Sequence, residues 1–146
     1  MIFKQYLLVL SEKKWQTRRL VNPNDGAITE GSFVRAAMVI LAVIDVITQR
    51  RRFYVGQRLP IIPKRGQPAI RDAAGNIRRV EIVSIRRELL QNITEEDARA
   101  EGVASVAEYR ALWDSINDRK GTRWDDNPLV WVISFKLVAI LTSVGR

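Results

Sequence analysis

Between Ile77 and Glu88 the chain alternates: Val80, Ile82 and Ile85 are apolar, and charged side chains fill many of the other positions. A period of two marks a strand with one dry face, and at this length it commits the chain to a sheet. Two helices are predicted directly after it. Thr94 is a good N-cap with Asp97 three positions on, and Gly102 suits the left-handed residue that ends such a helix. Ser105 with Glu108 predicts a second capping box. Tyr109, Leu112, Trp113 and Ile116 then fall at i, i+3, i+4 and i+7, an apolar helical stripe. Trp124-Asp125-Asp126-Asn127-Pro128 reads as a turn, and Leu129 to Val138 as a final strand.

Upstream, Phe3, Tyr6, Leu7 and Leu10 are spaced for a helix over residues 2 to 10. Asn22-Pro23-Asn24-Asp25-Gly26 is a turn signal that closes this first unit. Val34 to Thr48 is apolar almost throughout, and its β-branched content favours strands, at least from Val43 to Thr48. Arg58 to Ile62 is a strand that Pro60 and Pro63 confine to an edge or a bulge. Lys64 to Asn76 should be a loop. The order α, several β, α, α, β predicts an α+β fold, a small curled sheet or barrel with helices beside it. At 146 residues the chain, 1–146, is expected to form one domain with its own core.

Composition narrows the chemistry. There is no cysteine and no histidine, so thiolate sites, Ser-His-Asp and Cys-His catalysis and the usual catalytic zinc sites are excluded. Catalysis would have to run on Lys, Thr, Ser, Tyr or carboxylates. No metal or redox cofactor is needed, although carboxylate-bound magnesium stays open. The net charge of +8 favours polyanionic partners such as nucleic acid. Tyr6 to Leu10 is too short for a signal-peptide core, and Ala36 to Ile44 is half a membrane span. A soluble, cytoplasmic protein with no membrane partner is expected.

The run Lys13-Lys14-Trp15-Gln16-Thr17-Arg18-Arg19 places amines, a hydroxyl and two guanidinium groups within seven residues. If the run is helical, Lys14 and Thr17 share a face. Glu101 stands at a helix C-terminus, where the dipole disfavours a carboxylate by roughly 0.3–1 kcal/mol unless a cation compensates. It is read either as a partner of Lys14 or an arginine, or as an exposed residue beside a glycine cap. Arg19 is the best anion ligand by its fork geometry, with a salt bridge to the acids of Glu95 to Asp97 as the alternative. Trp15 is read as a base-stacking platform or as a plug over the cleft. Trp113, Trp124 and Trp131 are expected in the core. Arg50-Arg51-Arg52, Lys64-Arg65, Arg78-Arg79 and Arg86-Arg87 form a dispersed basic set suited to phosphate contact or to a solvated surface.

Five ordered segments now carry a likeness. They are Lys13 to Leu20, Val55-Gly56-Gln57-Arg58-Leu59, Ile93 to Gly102, Leu112-Trp113-Asp114-Ser115-Ile116-Asn117, and Trp124 to Pro128 with Trp131-Val132. Together they resemble the ASCH domain family, a PUA-like fold, particularly its bacterial and phage-borne members; residues 28 to 52 match poorly. The resemblance implies a small PUA-like β-barrel with flanking helices and a cleft for RNA-related ligands. One branch of the family hydrolyses N4-acetylcytidine to cytidine and acetate with a lysine, a threonine and a glutamate, which by motif fall on Lys14, Thr17 and Glu101. Glu12 replaces the usual glycine and Trp15 the usual first threonine, so the indole and the added carboxylate are expected to narrow or fill the pocket.

Three functions follow as expectations. The first is binding of RNA or a modified nucleoside in a cleft lined by Lys14, Thr17, Arg18, Arg19, Trp15 and Glu101. The second is N4-acetylcytidine hydrolysis, with Thr17 as nucleophile, Lys14 as its activator or oxyanion partner and Glu101 as the orienting acid. The third is a phage-derived assembly role, with Val34 to Thr48 and the apolar tail Ala139 to Val144 as contact surfaces.

Overall fold

The computed structural model describes residues 1–32 and 35–139. Its strands are β1 (Gln16–Leu20), β2 (Asp25–Ser32), β3 (Arg35–Asp45), β4 (Arg51–Tyr54), β5 (Arg58–Pro60), β6 (Arg79–Leu89) and β7 (Leu129–Leu137). The α-helices are α1 (Tyr6–Leu10), α2 (Glu95–Ala100) and α3 (Val106–Ile116). The seven strands form one sheet in the order β1-β7-β6-β3-β2, with β4 added to β3 and β5 to β6. Every strand pairing is antiparallel.

β3 and β6 meet at a single register pair, Ile40 with Ile85. Beyond that pair β4 pairs with β3 and β5 with β6. The path ends on β1 and β2, which do not pair with each other, so the expected barrel is partial and the fold is α+β. β7 explains the core. Val130 to Phe135 are all buried, with Val130 and Val132 against Tyr109 and Trp113 of α3, Trp131 and Ile133 against Val43 and Ile82, and Phe135 against Phe3 and Ile61. A strand dry on both faces reads as a continuous apolar run.

Several expectations change. The predicted helix over residues 2 to 10 shrinks to α1, because Ile2 bridges Ile62 in parallel and the Phe3 amide donates to the Ile62 carbonyl at 2.8 Å. Leu7, placed on the apolar face, is 66% exposed, while Val9 is buried. The basic run is not helical: Gln16 to Leu20 is a strand paired with β7. β2 begins inside the predicted turn at Asp25 and forms a hairpin with β3. Ser105 accepts from the Glu108 amide as expected, but the Glu108 carboxylate turns to the Ala104 amide, so only half of that capping box forms. The Thr94–Asp97 box is complete. Trp113, Trp124 and Trp131 are core residues. The apolar tail lies outside the described residues from position 140 on. Among the described residues no helix is long and apolar enough to cross a membrane, and none of the His, Cys, Asp or Glu side chains group for a metal.

Candidate functional site

A cavity of about 190 Å³ opens between the segment Ile2 to Gln5, β1 and one side of α3. Lys14, Thr17, Arg18, Arg19, Glu101 and Tyr109 supply its polar wall, and Leu112, Trp113 and Ile116 supply an apolar one. Strand alternation sorts the basic run. Gln16 and Arg18 turn to Asp97 on α2, at 3.3 Å each. Arg19 points the other way, and its guanidinium donates to the Ile2 carbonyl at 3.0 Å.

Glu101 is the C-cap of α2, and Gly102 follows with φ +93°. The carboxylate is not left to the unfavourable end of the dipole. Lys14 Nζ lies 3.5 Å from Glu101 Oε1 and donates to the Glu101 carbonyl at 2.9 Å, so one ammonium answers both the side chain and the helix end. Lys14 and Glu101 are buried, at 7% and 2% exposure, and Thr17 is buried beside them. Glu101 Oε2 is fully buried, and the Lys14 ammonium and the Tyr109 hydroxyl are the hydrogen-bonding neighbours of the carboxylate. A Cβ on Gly102 would lie 3.0 Å from Leu8 Cδ1 and 3.3 Å from Lys14 Cβ. The bare glycine therefore satisfies the backbone and makes room for the lysine stem.

Burial sets the electrostatics. It lowers the Lys14 ammonium below the ordinary lysine value; Glu101 pulls it back up, and Arg19 adds to the lowering. Burial likewise raises the Glu101 carboxyl, opposed by Lys14 and Arg18. Tyr109 is pushed well above the usual phenol value, first by burial and then by the facing Glu101 carboxylate. For Lys14 and Glu101 burial opposes the charged form while each partner's opposite charge favours it.

The residues singled out in the sequence do not all converge. Lys14, Thr17, Arg19 and Glu101 share the cavity. Arg18 borders it, but its Nη2 is taken by Glu88 at 2.6 Å and Asp97 at 3.3 Å. The salt bridge weighed for Arg19 belongs to its neighbour. Trp15 is elsewhere. It is 45% exposed and lines a neighbouring groove with Glu12, Lys14, Phe135 and Lys136, so the two hollows share Lys14 but the indole itself does not line the cavity. Trp15→Ala should leave occupancy of the cavity unchanged to within about twofold, as for other surface substitutions; a tenfold loss in a direct binding titration would contradict this placement. Tyr109 was legible only as part of an apolar stripe, although a tyrosine in a buried stripe needs a partner for its hydroxyl.

No family model matches the sequence, and no curated protein matches it significantly. Solved structures do. The chain is similar to an ASCH domain from Lactobacillus crispatus at TM-score 0.51 and 17% identity, over 89% of this chain and 67% of that one. The fold is ASCH-like. A second likeness is to a protein of Enterococcus faecalis with the family model DUF984, at TM-score 0.50 and 13% identity, over 96% of this chain and 73% of that one. In this ASCH-like fold the cavity lies where the strand carrying the basic run meets the end of α2, and both segments belong to the ordered motifs noted above.

Proposed function

We propose that the cavity binds a nucleoside, free or carried in RNA. The observation that carries this reading is the cavity's division into a polar end, where Lys14, Thr17, Arg19 and Glu101 meet, and an apolar wall from α3. A nucleobase has a flat face for such a wall, and its polar edge can exchange hydrogen bonds with the side chains of the polar end. Arg19, which has no carboxylate partner among the described residues, suits the anionic side of an RNA ligand. The net charge of +8 assists encounter with RNA. Titration of the protein with nucleosides and short RNAs at low salt tests this. Saturable binding that weakens in Thr17→Val and Glu101→Gln is expected, and absence of binding to every nucleoside and RNA would sink the reading.

A second reading is hydrolysis of N4-acetylcytidine. It is favoured by the lowered Lys14 ammonium sharing a cavity with the Thr17 hydroxyl. Neutral Lys14 would take the hydroxyl proton as Thr17 Oγ attacks the acetyl carbon. The C–N bond would then break and the proton return to the cytidine amine. Water would release acetate from the threonine ester in a second step. The expected rate rises with pH as Lys14 loses its proton, along a limb below the ordinary lysine range. Lys14→Ala and Thr17→Ala should each lose about 10²–10⁴ in rate. Turnover that survives both substitutions would remove this mechanism, and no turnover in the parent would leave binding alone.

A further inference from the structure

A second basic pocket lies on the sheet away from this cavity. From Ile133, the β7 partner of Thr17, to Val138 at the pocket's rim is roughly 17 Å of extended strand at ~3.3 Å per residue. The pocket, about 270 Å³, is lined by Arg58, Arg78 and Arg79 together with Asp72 and Asn76. Sheet register explains why Arg58 and Arg79 meet. Arg58 on β5 lies opposite Glu81, and Arg79 lies two residues before Glu81 on β6. The Val138 amide donates to the Arg79 carbonyl at 2.9 Å, holding the end of β7 against the same place.

The local charges do not cancel. Glu81 is shared by Arg58, through Nε at 3.0 Å, and Lys136 at 3.5 Å. Asp72 lines the pocket, but its Oδ1 accepts from the Ala74 and Asn76 amides at 3.0 and 2.9 Å, turning it into its own loop. Arg78 and Arg79 have no carboxylate partner among the described residues. Arg78 Nε is fully buried and has no acceptor there either. Guanidinium groups arriving from separate positions suit a group that offers oxygens in several directions.

We infer that the Arg58–Arg78–Arg79 pocket is a phosphoryl-binding site. The phosphoryl group is either free, as in inorganic pyrophosphate, or part of an RNA backbone. The inference does not depend on what occupies the cavity beside Glu101, since pyrophosphate carries no base.

The test is a titration of the wild-type protein with inorganic pyrophosphate, following arginine Nε–H resonances by NMR, beside anisotropy of a labelled single-stranded RNA over a salt series. Saturable shifts at Arg78 and Arg79, absent in Arg79→Ala, are expected. If the source is RNA, Arg79→Ala and Arg58→Gln also weaken RNA binding and lower its salt slope by roughly 1 each. Pyrophosphate shifts with unchanged RNA binding would support the site for a free phosphoryl ligand. Resonances that do not move with pyrophosphate, together with an unchanged salt slope, would overturn it. The wild-type titration needs no variant, so a substitution that fails to fold does not obscure the result.

Discussion

Lys14→Met is expected to unfold about 3–5 kcal/mol more easily than the parent at neutral pH, the usual loss when one partner of a buried ion pair is removed. Glu101 would keep a buried carboxylate whose nearest cation has gone. Glu101→Leu should be at least as damaging, because it strands Lys14 while Arg19 stands nearby as a second positive charge. The double variant Lys14→Met/Glu101→Leu should recover most of either loss, since an apolar pair of similar volume removes both charges together. The Lys14→Met defect should also depend on pH. A carboxyl whose folded pKa is raised holds its proton more tightly in the folded state, so its contribution is favourable at low pH and lost as pH rises through the folded value. Burial raises Glu101 in this way. The defect should therefore shrink on acidification as Glu101 takes up a proton. Urea denaturation of the three variants across pH decides the matter. Purely additive losses would mean that the two charges do not act as a pair.

Arg18→Met should cost about 3 kcal/mol, the lower end of what breaking a buried pair costs. The Arg18 side chain is fully buried, and its Nη2 bridges Glu88 on β6 and Asp97 on α2 from its own place on β1. One guanidinium thus ties together three elements that are distant in the sequence. The cost stays at the lower end because both carboxylates keep Arg86, at 3.5 Å from Glu88 and 3.2 Å from Asp97. Arg86→Ala is the control. Its half-exposed pairs should contribute no more than about 1 kcal/mol. Equal losses in the two variants, measured by denaturant midpoint, would show that burial of Arg18 adds nothing.

The parts of the fold that could be read in advance are those where one rule acts alone. In β6 Val80 and Ile82 mark the dry face, which a bulge between Ile82 and Ser84 passes on to Ile85, and α2 declares both its ends through Thr94, Asp97 and Gly102. The basic run could not be read so well. Gln16, Thr17, Arg18 and Arg19 are polar at successive positions, so both faces of β1 carry polar groups and a period of two leaves no trace. Which arginine meets Asp97 is settled by that hidden alternation, and the answer is Arg18 rather than Arg19. β2 was missed for a related reason, since Asp25 to Ser32 contains little apolar side chain and its pairing comes from the adjoining β3. At the cavity, Lys14, Thr17 and Glu101 were found through motif and the helix-dipole anomaly. Tyr109 was hidden because a stripe pattern records the ring and not the hydroxyl.

Gly102 links the winding of α2 to the position of an ammonium. Its missing side chain is the space through which the Lys14 stem passes, and its left-handed backbone is the end of the helix. Helix termination and the placement of charge in the cavity thus share one adjustable part. A library that varies this position for a tighter helix end would select, unintentionally, for a displaced amine. The backbone of α2 acts as a gauge block for the chemistry beside it, and any redesign of the cavity has to begin by leaving that spacing untouched.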